Sequence, residues 1–127
     1  MEAATQKLAT MALLVIGLSH IVQCRAWVRF FVMLREKGEA GAIANALFHF
    51  WPGLFIVSFH NVWTGTSLTL TVYGWLLVIK GTLYLLWPRI ALRGMFLVSE
   101  AKARKFAIVG VAMVAFGFLL GWNLVSN

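Results

Sequence analysis

Apolar residues fall into four long runs separated by short polar stretches. The first runs from about Leu8 to Cys24 and the second from about Ala40 to Val62. The third covers about Leu68 to Trp87 and the fourth about Phe106 to Val125. Each has the roughly 17 to 25 residues that a helix needs to cross a bilayer. The runs are continuous and do not alternate, which excludes strands. In hydrocarbon a helix satisfies its own backbone. The pattern therefore predicts an all-α integral membrane protein, a four-transmembrane-helix bundle forming one membrane domain over residues 1–127.

The pattern also recurs. Gly17, Arg25, Arg29 and Glu36 reappear in order as Gly81, Arg89, Arg93 and Glu100, and Gly53 as Gly117, each 64 positions later. Around them an apolar run, a basic amphipathic stretch and a second apolar run follow in the same order. This predicts two parallel two-helix repeats, about 1–64 and about 65–127. Two spans per repeat give both halves the same direction, so their pseudo-symmetry axis runs along the membrane normal.

Composition strengthens the membrane reading: 61% of residues are hydrophobic and 12% charged. A soluble fold of this size has too little polar material to cover such a chain. The net charge of +7 does not point to nucleic acid, because the basic residues cluster beside the apolar runs. Arg25, Arg29, Arg35 and Lys37 lie between spans one and two. Arg89, Arg93, Lys102, Arg104 and Lys105 lie between spans three and four. The connection from His60 to Ser67 has none, and Lys7 is the single base of the N-terminal tail. The positive-inside rule then puts both basic amphipathic loops in the cytoplasm and both termini outside. Val22-Gln23-Cys24-Arg25 lacks an A-x-A cleavage pattern, so the first run is expected to stay as a span. The single Cys24 forms no disulfide within the chain and reads as a small apolar residue.

In the basic stretches, arginines four apart stand beside Trp27, Phe30, Phe31 and Leu34, and again beside Ile90, Leu92 and Phe96. Both predict amphipathic helices at headgroup level, or continuations of the preceding span. Pro88 favours a break in the second; Cys24 stands at its place in the first, where no bend is required. Arg25, Arg29, Arg89 and Arg93 are candidate contacts to lipid phosphates, or carry topology alone. The stretch Gly74-Trp-Leu-Leu-Val-Ile-Lys-Gly-Thr-Leu-Tyr-Leu-Leu-Trp-Pro-Arg, with its short basic helix and Gly-rich span, resembles a class of small two-span bacterial inner-membrane proteins. The resemblance covers the second half and implies a bacterial inner-membrane location. It implies no activity and carries over no functional residue.

Lys80 lies inside span three, about eight residues or roughly 12 Å from its cytoplasmic end. A cation there costs on the order of 2 to 3 kcal/mol. It either meets an anionic group or snorkels to the interface. His49 sits at nearly the same depth in span two, and His20 one turn from the end of span one. With Asn45 and Tyr84 these residues define a candidate polar intramembrane site, for a quinone, an anionic headgroup or a proton relay. The alternative is interhelical hydrogen bonding. His20 and His49 as axial ligands of a haem b are a third arrangement; otherwise no cofactor is implied. His60, three helical turns beyond His49, shares its face with Gly53. Pro52 is expected to kink span two. Gly110, Gly117, Gly121 and Gly53 are candidate helix-packing positions, within the bundle or between protomers.

The chain carries no phosphate-binding loop, metal motif, carboxylate pair or nucleophile with its base, so no catalytic residue is assigned. The expectation is a small non-catalytic membrane protein: a subunit, stabiliser or assembly factor that meets the lipid bilayer and either itself or a larger membrane protein. Two other functions fit the same residues, an oligomeric permease or channel for an anionic solute, and a haem- or quinone-binding anchor of a redox complex.

Overall fold

The computed structural model describes all 127 residues. Six helices follow in order: α1 (Glu2–Val22), α2 (Cys24–Glu36), α3 (Glu39–Phe59), α4 (Leu68–Leu86), α5 (Pro88–Phe96) and α6 (Ala103–Ser126), the last preceded by a 3-10 turn over Glu100–Lys102. There are no strands. Four helices are long and apolar enough to cross a membrane: α1, α3, α4 and α6. Short amphipathic α2 and α5 bury Val28 and Leu34, and Ala91 and Met95, against the bundle.

Three boundaries differ from the sequence reading. The residues read as an N-terminal tail belong to α1, because Thr5 and Gln6 are buried there. Gln6 Nε2 donates to Leu120 O at 3.0 Å and to Asn123 Oδ1 at 2.9 Å, so polar side chains hold this turn onto α6. The chain also breaks at the start of the first basic stretch, where no bend is required, as it does at the second, where Pro88 favours one. Gln23 (φ −116°, ψ 38°) ends α1, and Trp87 (φ −132°, ψ 79°) ends α4. Proline explains only the second break. Common to both is a need to turn the apolar face of the following helix back onto the bundle. Finally, α3, with Pro52 inside it, ends at Phe59, before His60.

The long helices pack in two pairs, α1 along α6 and α3 along α4, while α1 and α3 scarcely meet. Glycines set the approach. A Cβ on Gly17 would lie 2.9 Å from Gly110 O, and one on Gly53 would lie 2.7 Å from the Val78 nitrogen. Gly117 faces Leu14 at 3.0 Å, and Gly121 faces Thr10 at 3.2 Å. All four candidate packing glycines thus meet neighbours of the same chain. Lipid tails give no hydrophobic drive between helices, so close van der Waals contact of this kind holds them. The contacts are reciprocal. Gly17 meets Val114 as Gly81 meets Phe50, and Gly53 meets Val78 as Gly117 meets Leu14. In each case the partners stand 64 positions from their counterparts.

Leu13, Ile56, Leu70 and Leu120, one from each long helix, form the central core. Leu34, Ala42, Ala91 and Met95 form a second core where α2 and α5 meet α3. Large apolar residues such as Val15, Leu18, Trp51, Phe118 and Trp122 point outward, while Gln6, Thr10, Asn45 and Thr71 are buried. That distribution suits a hydrocarbon surround. Both basic helices lie at one end of the bundle. The opposite end gathers the start of α1, the α3–α4 connection and the end of α6: Ser67 Oγ lies 3.4 Å from Gln6 Oε1 and 3.3 Å from Asn123 Oδ1.

Candidate functional site

Four of the five candidate polar residues line one cavity. Asn45 and His49 come from α3, one turn apart, and Lys80 and Tyr84 from α4, also one turn apart. Two residues separated by one turn share a helix face, and the close α3–α4 approach at Gly53 and Gly81 brings the two faces together. Phe31, Ala91, Gly94, Met95, Val98 and Phe106 complete the wall. The cavity holds about 210 Å³, and no acidic residue lines it. That is smaller than the usual pocket for a whole drug-sized molecule, and suits a compact polar group.

The hydrogen-bonding capacity of these side chains is largely unspent. His49 Nδ1 lies 2.8 Å from the Asn45 carbonyl, which can only accept, so Nδ1 carries the proton. In the neutral ring Nε2 is then an acceptor. Lys80 Nζ sits 5.7 Å from the centre of the Tyr84 ring, a cation–π contact one turn nearer the basic end of α4. Its stem therefore points the way a snorkelling lysine would, and the site and snorkelling readings of Lys80 describe one conformation. The His49 and Tyr84 rings meet edge to face at 6.1 Å. Asn45 is only 5% exposed, and its Oδ1 has no hydrogen-bond partner. A buried amide oxygen left unpaired costs about 1–3 kcal/mol.

His20 stands apart from this group. Its ring stacks on Trp27 at 4.0 Å and faces Phe106 at 6.1 Å, and its Nδ1 donates to Ile16 O at 2.8 Å. Phe106, against Phe31 at 5.5 Å, walls it off from the cavity. His20 and His49 do not share one open space, so the residues do not fit a bis-histidine haem clamp. His60 is farther still. It is 1% exposed at the opposite end, with Nδ1 3.3 Å from Glu2 O and Nε2 3.1 Å from Ser67 O. It fastens α1 to the α3–α4 connection.

Several contributors escaped the sequence reading. Arg35, read as a topology charge, reaches across to donate from Nη1 to Val98 O at 3.1 Å and Met95 O at 3.4 Å, bracing two cavity-wall residues. Its signal was Ser99 at the position 64 later, a charge without a mate. Ala91 and Gly94 make the room. The positions 64 earlier hold Trp27 and Phe30, and Trp27 lies flat on His20, the residue 64 before Tyr84. Bulk present on one side and missing on the other was visible in the chain, but only the fold says that it borders a cavity. The four interface arginines, Arg25, Arg29, Arg89 and Arg93, are all exposed on α2 and α5. Comparison with known proteins returns no matching family model, no matching curated protein and no matching solved structure.

Proposed function

We propose that this chain is a small non-catalytic component of a bacterial inner membrane that holds a compact polar group in the cavity between α3, α4 and α5. One observation carries the reading: Asn45, His49, Lys80 and Tyr84 converge on one space with no acidic residue, and the Asn45 amide oxygen is left unpartnered. A structural lysine or asparagine inside a membrane normally finds a partner in its own protein. Here Asn45, His49, Lys80 and Tyr84 line a space that a ligand can fill.

The scaffold reading supports it. In the proposed duplication the halves swap partners about an axis along the membrane normal, and the reciprocal glycine contacts fit that operation. Trp27 and Phe30 then fill on one side the volume that Ala91 and Gly94 leave open on the other. One half serves as scaffold and the other as site. By the charge rule the cavity opens at the cytoplasmic leaflet. The packing glycines are spent within the chain, so they provide no reason for self-association; a larger membrane partner would meet the outer apolar faces.

Ala91→Trp tests the reading, because it puts into the second half the residue that closes the first. Native mass spectrometry of protein extracted with its own lipids should show a retained small molecule in the wild type and none in the folded variant. Identical spectra for the two proteins would refute the assignment.

A further inference from the structure

We infer that the group held by this cavity is a phosphate monoester, and this rests on the binding reading above. Lys80 brings a charge and three donors, and the Asn45 amide brings two more. These require an anion with several oxygens, since no carboxylate lines the space. One acceptor is equally unspent: the His49 Nε2 lone pair, left by the bond from Nδ1 to Asn45 O. A fully substituted anion such as a phosphodiester cannot answer it at its phosphorus centre, because it has no O–H. A carboxylate offers two oxygens and no proton. A singly protonated phosphate monoester offers three oxygens, one negative charge and one O–H on a single compact centre. It satisfies the donors and the acceptor at once, and a cavity of about 210 Å³ has room for it.

The surroundings favour the same chemistry. Tyr84 places its hydroxyl against the open side, where a Cβ on Gly94 would meet nothing closer than that oxygen at 3.9 Å. Gly94 and Lys80 are exposed and form the mouth, while Asn45 and Met95 are buried and form the floor. Arg89 and Arg93 are exposed on the same helix as Gly94, and their charges raise the concentration of anions at this end of the bundle. The ester carbon then leads outward through the mouth. Two sources present this group from that side, a membrane lipid ending in a phosphate monoester and a small soluble phosphate ester.

The experiment uses the intact chain in phosphatidylcholine nanodiscs. Three probes are added separately: dioleoyl phosphatidic acid, dioleoyl phosphatidylglycerol and soluble glycerol 3-phosphate. Binding is read by native mass spectrometry and by the ¹⁵N shift of His49 Nε2. A monoester should bind at least about tenfold more tightly than phosphatidylglycerol, the loss expected when one charge-assisted hydrogen bond is missing. It should also move the Nε2 resonance. Retention of phosphatidic acid alone identifies the source as lipid; competition by glycerol 3-phosphate identifies a soluble ester. Lys80→Met should weaken every anion about tenfold or more. His49→Phe should keep anion binding and erase the preference for the monoester. Equal binding of phosphatidic acid and phosphatidylglycerol, with both lost in Ala91→Trp, overturns the monoester inference and leaves the cavity reading intact. Binding of all probes unchanged by Ala91→Trp and Lys80→Met overturns both.

Discussion

Asn45 offers the sharpest separation of a binding residue from a structural one. It sits on α3 with 5% of its surface exposed, and its Oδ1 meets no donor. Leucine has nearly the same length and no polar atom. If the amide is kept for a ligand, the empty protein carries an unpaired buried polar group that Asn45→Leu removes. The penalty for such a group is about 1–3 kcal/mol, and the variant should be more stable by that amount. The assay is reversible unfolding in mixed micelles of increasing SDS content, with protein stripped of lipid. Adding the ligand should reverse the order. At a hundredfold excess over Kd, binding stabilises the wild type by about 2.7 kcal/mol, and the variant, without the amide, should gain far less. A stabilised variant that no longer responds to ligand is the usual signature of a site maintained at the cost of stability. If Asn45→Leu instead unfolds 1 kcal/mol or more ahead of the wild type in stripped micelles, the amide has a structural partner and the reasoning fails.

Two further outcomes test the scaffold and its orientation. Gly53→Ala puts a Cβ 2.7 Å from the Val78 nitrogen and 2.9 Å from Gly74 O, backbone atoms that cannot turn aside, so it should destabilise by about 1–3 kcal/mol. Gly94→Ala, whose nearest neighbour is 3.9 Å away, should stay within about 0.5 kcal/mol; equal unfolding midpoints would show that Gly53 does not set the α3–α4 distance. For topology, Ser126→Cys and Lys37→Cys in a Cys24→Ser background are treated with a membrane-impermeant maleimide on spheroplasts. Labelling of the first and not the second is expected from the charge asymmetry, and the reverse pattern would invert the orientation.

The four long apolar helices were legible because a run of apolar residues long enough to cross a bilayer has only one backbone solution there. Their ends were less legible. Gln6 looks like a tail residue until Leu120 and Asn123 are seen to receive its side chain. The break at Gln23 has no proline to announce it; it follows from where the apolar face of α2 must dock. Of the site, residue types and depth were readable for Asn45, His49, Lys80 and Tyr84, because helical spacing sets pairs one turn apart on the same face. His20 matched them in type and depth and still lies elsewhere, since depth along an axis says nothing about rotation around it. Trp27 and Phe106 hold its ring on the far side of an aromatic wall.

By itself the sequence determined that the chain is helical, with four stretches long and apolar enough to cross a membrane, where its bases cluster, and which glycines can admit a close neighbour. These are local properties, set by hydropathy, charge and side-chain size. Which helix meets which was decided by the tertiary structure. The pairing of α1 with α6 and α3 with α4 brings residues far apart in the chain into contact, and no local rule encodes that choice. The cavity is a consequence of it: Lys80 and Asn45 lie on different helices, and they line one space because Gly53 and Gly81 let α3 and α4 approach while Ala91 and Gly94 leave room above them.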